Sequence, residues 1–435
     1  MSKNTTLKLA WLVIGIISLF PIFIWLVMQP LSSRFSGAFQ ILASLGQVTS
    51  LVGFALMAVV IIFASRLWFI ERGLYGLNRV FIEHHRLGSI AFILLLAHPI
   101  FLALSYFTFS ARSAALFLLP NLSAWPQALG TVSLLLMIVL LGITFYLAWR
   151  YGTWKFSHRF LALAFLIAIF HVAFITSDVS RSLVLRAYLL SLGGLALVAY
   201  GYRLLVEFGE VGKHEYVVSA LRQLAQGVYE VSLRPSIKPF SYHAGQFAFL
   251  TLRQQGMSRE DHPFSFVSAP FDSEIKFAIK ELGDFTKTLS DLKVGSVVHI
   301  EGPYGMFGRG AKTAASEIWI AGGIGITPFV SLARDLSRSG RSADLYYSVK
   351  TDEELVYCEE LVSLAEALPS KFRFIPYVAK EKGFLSANAV EEISGPLIDR
   401  RVYVCGPPAM MNSLKQQFIK KGVSAQNINT EEFSL

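Results

Sequence analysis

Six apolar runs of about twenty residues each fill the first half of this 435-residue chain, at roughly 9–29, 47–69, 86–108, 127–148, 159–177 and 184–206. A helix of that length crosses the hydrocarbon layer, and within lipid every backbone polar group must be satisfied inside the segment itself. Six transmembrane helices are therefore expected. The first run is too long for a signal peptide, and no small-residue cleavage site follows it, so it is read as the first span. With 54% hydrophobic and 16% charged residues, the chain is neither disordered nor a wholly cytosolic enzyme.

Charge divides the chain in the same place. Residues 1–206 hold fourteen Lys/Arg against Glu71, Glu83 and Asp178, and residues 207–435 hold twenty-five against twenty-seven acids. The cations flank apolar runs rather than forming a basic face, which points to membrane orientation and away from a nucleic-acid partner. With the N-terminus inside, the inner loops collect Lys3, Lys8, Arg66, Arg72, Arg79, Arg86, Arg150, Lys155 and Arg159. The outer ones hold only Arg34, Arg112, Arg181 and Arg186. The positive-inside rule then places both termini in the cytoplasm, in a multi-pass protein of the plasma (inner) membrane. The two cysteines, Cys358 and Cys405, cannot build a disulfide framework, a multi-thiolate zinc site or a Cys-ligated iron–sulfur cluster. Without C-x-x-C-H, any haem is held non-covalently.

His84 and His98 lie fourteen residues apart in or beside the third run, and His158 and His171 thirteen apart in or beside the fifth. At ~1.5 Å per residue each pair spans about 20 Å along its helix. The two helices run the same way, so His84 lies level with His158 and His98 with His171. Two histidines at one depth on neighbouring helices can ligate one haem iron from both sides, and two depths give two stacked haems. Interhelical hydrogen bonding is the alternative use of such residues. Thirteen residues leave a rotation of roughly 140° at ~100° per residue, so the fifth helix needs tilt or a local irregularity. His85 is read as a contact at the headgroup level, and Phe165 as ordinary packing.

After about residue 211 the pattern changes to short strands broken by Gly and Pro. Residues 211–310 read as a small antiparallel barrel with strand candidates Tyr229–Leu233, Gln246–Leu252, Phe264–Val267, Ile275–Ile279 and Val297–Ile300. Among them lie His262-Pro263-Phe264-Ser265 and Gly302-Pro303-Tyr304-Gly305, with Lys280-x-x-Gly283-x-x-Thr286 as a turn whose free N–H groups suit a diphosphate. Beyond 315, strand, glycine turn and helix alternate, with Gly322-Gly323-Ile-Gly325-Ile-Thr327-Pro328 as a phosphate-cradling loop at a helix start. After the next strand, Lys350-Thr351 stands where an NAD-selecting acid often sits, which favours NADPH.

Together these motifs resemble the ferric reductase and NADPH oxidase superfamily of transmembrane flavocytochromes, in its bacterial single-chain form. The resemblance implies an all-α six-helix membrane bundle with two bis-histidine b-type haems, on His84, His98, His158 and His171. It further implies a ferredoxin-reductase-like module: an antiparallel β-barrel FAD domain and an α/β nucleotide-binding domain. The implied divisions are 1–208, 209–310 and 311–435. His262, Pro263, Phe264 and Ser265 correspond to the flavin-binding H-P-F-[ST], and Lys280, Gly283 and Thr286 to the flavin-diphosphate turn. Gly322, Gly323, Gly325, Thr327 and Pro328 correspond to the nucleotide loop. Cys405-Gly406-Pro407 matches the C-G-P beside the nicotinamide, and Phe433 the aromatic that stacks on flavin. On this reading NADPH gives a hydride to FAD, and single electrons cross two haems to oxygen or a ferric chelate. No obligatory protein partner is expected. The competing reading is a membrane-anchored flavin reductase that serves a soluble or quinone acceptor.

Overall fold

The computed structural model describes residues 3–147, 151–209, 211–254, 260–309 and 316–431. The chain divides into two compact units, residues 1–209 and 210–435.

In the first unit the long helices are α1 (Lys3–Met28), α3 (Ala38–Ala64), α5 (Leu77–Phe107), α7 (Trp125–Tyr146) and α11 (Leu183–Phe208). The fifth run forms two helices, α8 (Tyr151–Arg159) and α9 (Leu161–Phe174). Short connecting helices are α2 (Leu31–Arg34), α4 (Trp68–Leu74), α6 (Ala111–Leu118) and α10 (Asp178–Arg181). Among the described residues six segments are long and apolar enough to cross a membrane, the fifth being Gly152–Phe174. The irregularity that the histidine spacing demanded is the interruption at Phe160, between the two halves of that span.

Small residues let the helices approach closely. A Cβ on Gly46 or Gly53 of α3 would lie 2.9 Å from the side chains of Leu102 or Leu95 on α5. One on Gly193 of α11 would lie 2.9 Å from Ile169 on α9. Phe165 is buried and stacks on Phe54 at 5.0 Å between ring centroids, which is ordinary core packing. The buried Arg34 pairs with Asp178 at 2.9 Å and donates to the Trp25 carbonyl at 2.6 Å. Its guanidinium lies 3.6 Å over the Trp25 ring. These contacts leave its charge compensated and tie the end of α1 to α10.

The second unit opens with β1 (Lys213–Ala225), β2 (Val228–Pro235), β3 (Phe247–Arg253), β4 (His262–Ser265), β5 (Ile275–Lys280) and β6 (Val297–Tyr304). They form an antiparallel sheet ordered β4-β3-β6-β1-β2-β5. A bridge between Phe266 and Phe277 links its two edges, which leaves little open edge. The thirteen-residue β1 was not among the strand candidates. Its polar positions hide the period, yet it pairs with both β2 and β6. β4 begins two residues before the expected strand.

There follow β7 (Glu317–Gly322), α12 (Thr327–Ser339), β8 (Ala343–Val349), α13 (Cys358–Ala367), β9 (Phe372–Val378), α14 (Ala379–Lys382), α15 (Ala387–Ser394), β10 (Val402–Cys405), α16 (Pro408–Lys420) and β11 (Ile428–Glu431). The five strands are parallel in the order β11-β10-β7-β8-β9. β7 is central and wholly buried, the signature of a parallel strand covered on both faces. Pro328 stands at the start of α12, where a missing N–H costs nothing, so it opens the helix rather than replacing a loop glycine.

Candidate functional site

Three of the four membrane histidines share one arrangement. His84 Nδ1 bonds the Val60 carbonyl at 2.9 Å, His98 Nδ1 that of Gly46 at 2.8 Å, and His171 Nδ1 that of Pro126 at 2.7 Å. A carbonyl only accepts, so each of these Nδ1 atoms carries the proton and each Nε2 keeps its lone pair for a metal. The two acceptors on α3 are fourteen residues apart, as are the two histidines on α5. His158 Nδ1 has a looser partner, Thr144 Oγ1 at 3.5 Å.

His84 and His158 face each other with ring centroids 6.2 Å apart. An imidazole nitrogen lies roughly 1.1 Å from its centroid and about 2 Å from a bound metal, so two axial imidazoles on one metal have centroids about 6 Å apart. His98 and His171 are near enough to interact electrostatically. Among the described residues no group of three or more His, Cys, Asp or Glu could hold a metal ion. Paired imidazoles therefore suit a metal that arrives with its remaining ligands, as haem iron does. His85 is exposed, its ring perpendicular to that of His84.

In the second unit β4 carries His262-Pro263-Phe264-Ser265. The His262 ring stacks on Phe285 at 4.0 Å, and Phe264 stacks on the same ring at 6.4 Å. Ser265 is buried and its Oγ has no hydrogen-bond partner, a group that a ligand edge would satisfy. At the turn, Lys280 ends β5, and Thr286 Oγ1 accepts from the N–H groups of Leu282 and Gly283 at 2.8 and 3.0 Å. Those two donors are thus occupied rather than free, and the Thr286 hydroxyl shapes the turn. A Cβ at Gly283 would meet nothing.

The nucleotide loop folds tightly against the chain after β10. A Cβ on Gly325 would lie 2.4 Å from the Cys405 carbonyl oxygen, and one on Gly406 2.9 Å from Gly322 Cα. One on Gly322 would lie 2.9 Å from Pro407 Cδ. These glycines are required because two backbones cross there, in addition to any phosphate they cradle. Gly323 has φ +53° and open space beside it, and Thr327 Oγ1 donates to the Ile324 carbonyl at 3.1 Å. Cys405 is buried beside Glu431 in the sheet register; burial pushes its thiol well up from the ordinary range, and the carboxylate adds to this. The thiol stays neutral and is not a nucleophile. Lys350 is exposed after β8, its N–H donating to Glu354 at 3.1 Å, with Asp352 and Glu353 alongside. Phe433 lies outside the described residues.

Residues 49–169 match the family "Ferric reductase like transmembrane component", residues 215–307 "FAD-binding domain" and residues 319–416 "Oxidoreductase NAD-binding domain". The chain matches the ferric reductase/NADPH oxidase superfamily. The three matched regions follow one another along the chain as six apolar helices, a β-sheet domain matched to flavin binding and an α/β domain matched to NAD binding. Among curated relatives, the toluate 1,2-dioxygenase electron transfer component of Pseudomonas putida is 28% identical over 51% of this chain and 68% of its own. The probable dihydroorotate dehydrogenase B electron transfer subunit of Methanocaldococcus jannaschii is 30% identical over 41% and 63%. The chain thus spans about two thirds of the length of these relatives. Among solved structures, flavohemoglobin from Malassezia yamatoensis aligns over 90% of this chain and 98% of its own, at 19% identity and TM-score 0.51, a likeness of fold.

The ferric reductase-like chain also holds polar groups that the sequence reading passed over. Tyr304 donates to the buried Glu301 at 2.8 Å, and Gln246 Nε2 donates to the Gly305 carbonyl at 3.1 Å. Glu431 Oε1 lies 3.2 Å from where a Gly305 Cβ would be, so this cluster joins the Gly302-Pro303-Tyr304-Gly305 turn to Cys405. Glu301, a buried acid two residues after the buried His299 in β6, was the available signal.

Proposed function

We propose that this chain carries electrons from cytoplasmic NADPH through FAD and two bis-histidine b-type haems to an acceptor on the opposite side of the membrane. The observation that supports this most is the set of carbonyl bonds at Nδ1 of His84, His98 and His171, which leave each Nε2 with its lone pair, together with the approach of the His84 and His158 rings. FAD, when bound, takes a hydride and releases single electrons, the form in which haem iron carries them.

The chain's own residues do the holding. His84 with His158 and His98 with His171 would hold the two haems through their Nε2 atoms. Ser265 Oγ meets the flavin edge, and His262, Pro263 and Phe264 hold the strand that presents it. Lys280, Gly283 and Thr286 form the diphosphate turn. Gly322, Gly323, Gly325, Thr327 and Pro328 receive the nucleotide, with Gly406 and Pro407 fixing the second wall. Lys350 would meet a 2′-phosphate and Cys405 would lie on the nicotinamide side as a neutral group; Phe433, the residue matched to the flavin-stacking aromatic, lies outside the described residues. The working divisions are 1–208 for haem, 209–310 for FAD and 311–435 for NADPH, with both termini cytoplasmic. Two histidines holding one haem would fill both of its protein-ligand positions, so the acceptor, oxygen or a ferric chelate, would be served without binding to the iron. Each NADPH supplies two electrons and so reduces two one-electron acceptors.

Sealed vesicles containing the purified protein test this, with NADPH on the nucleotide-domain side and a membrane-impermeant ferric chelate on the other. The expected result is reduction of the chelate across the membrane, abolished in His84→Ala and His171→Ala while NADPH-driven dye reduction persists. Reduction only on the NADPH side, unchanged in both variants, would establish the anchored flavin reductase instead.

A further inference from the structure

His158 is held differently from the other three histidines. They bond backbone carbonyls at 2.7–2.9 Å, whereas His158 has only the Thr144 hydroxyl at 3.5 Å. It also sits on the nine-residue α8, which the interruption at Phe160 separates from α9. A helix this short has little stability of its own and takes its position from tertiary contacts. It packs on α7 and α9, His158 stacks on Trp154 at 5.3 Å, and its two cations beside His158 share one acid. Glu207, in the last turn of α11, receives Lys155 Nζ at 2.6 Å and also pairs with the Arg159 guanidinium. Lys155 and Arg159 flank His158, at three residues before and one after. Tyr200, also on α11, donates to the Arg159 carbonyl at 3.2 Å, and the Arg159 guanidinium lies 4.8 Å over the Phe208 ring. The carboxylate is largely buried with both cations on one oxygen, so neutralising it removes the charge that Lys155 and Arg159 share.

We propose that Glu207 is the positioning residue for His158, and through it for the iron that the His84–His158 pair holds; this rests on the bis-histidine reading above. The anchor fixes where α8 stands against α11, and so the height and rotation of the one imidazole that lacks a firm hydrogen bond of its own. Arginine and lysine share the load: Lys155 meets the carboxylate from one turn before His158, and Arg159 from directly after it.

The test uses the full-length haem-loaded protein and low-temperature electron paramagnetic resonance of the oxidised form, which separates two low-spin haem signals. Glu207→Gln is expected to shift one signal, or convert it to high spin, and to leave the other in place. The altered signal should be the one that His158→Ala abolishes, and Glu207→Asp should restore it. If Glu207→Gln leaves both signals unchanged, or loosens both equally, the positioning role is overturned. If Glu207→Gln does not fold, Lys155→Gln removes one partner and should move the same signal by less; no movement overturns the proposal. A wild-type protein without low-spin haem, or a His158→Ala variant with both signals intact, would instead refute the bis-histidine reading and the proposal with it.

Discussion

Gly130 offers the sharpest structural test of the His98–His171 pair. It lies on α7 one turn beyond Pro126, whose carbonyl holds His171 Nδ1 at 2.7 Å. A Cβ at Gly130 would stand 2.9 Å from both Cε1 and Nδ1 of His171 and 3.2 Å from Cγ. Carbon contacts are comfortable at about 3.5–4.0 Å, so Gly130→Ala must push the ring by roughly 0.6 Å or more. That movement cannot preserve the Pro126 hydrogen bond. Loss of a hydrogen bond that orients a metal-ligating histidine costs about 10–100-fold in metal affinity, or roughly 1–3 kcal/mol. The assay is haem content per flavin, by pyridine haemochromogen, together with a reductive titration that resolves two components. Gly130→Ala should lose or shift the component assigned to His98 and His171 and spare the other. Gly88→Ala is the control: its Cβ meets only Val60 Cγ1, at 3.6 Å, which is ordinary contact beside the His84 pair. Wild-type haem content and potentials in Gly130→Ala, or equal losses in Gly88→Ala, would refute the reasoning.

Ser265→Ala removes a buried hydroxyl that has no partner in the protein, so folding stability should hold while the FAD dissociation constant rises about 3–10-fold, as for one lost hydrogen bond. Flavin titration checks it, and an unchanged constant would remove Ser265 from the flavin edge. Gly325→Ala places a Cβ 2.4 Å from the Cys405 carbonyl; overpacking of about 1–3 kcal/mol against backbone should lower the thermal midpoint and raise KM for NADPH. Lys350→Ala should reduce the preference for NADPH over NADH by raising KM for NADPH alone, measured by steady-state dye reduction; equal effects on both would place the lysine elsewhere.

The membrane architecture was legible because lipid leaves few solutions: six long apolar runs have to become helices, and they do. The approach of His84 to His158 was legible for the same reason, since helical rise converts spacing into depth. What supports those histidines was not. Val60, Gly46 and Pro126 act through backbone carbonyls, which every residue possesses, so no letter in the sequence marks them. The Phe160 interruption was demanded by the rotation of His158 against His171, but nothing in the run itself located it. In the second unit the glycine loop was visible, but its contact with Cys405 and Gly406 depends on residues some eighty positions apart in sequence. The turn at Gly283 was visible from its Lys280-x-x-Gly283-x-x-Thr286 spacing, but that the Thr286 hydroxyl accepts from the Leu282 and Gly283 N–H groups was not. Glu207 was counted only as a charge, because its two partners approach from a different helix.

The central claim is that facing histidine pairs hold two haems that accept electrons from NADPH. The most direct test is the anaerobic absorbance spectrum of the purified, detergent-solubilised protein before and after NADPH. The account predicts two b-type haems per flavin, with sharpened reduced bands after NADPH that decay when air or a ferric chelate is admitted. Flavin bleaching with no haem signal would contradict it.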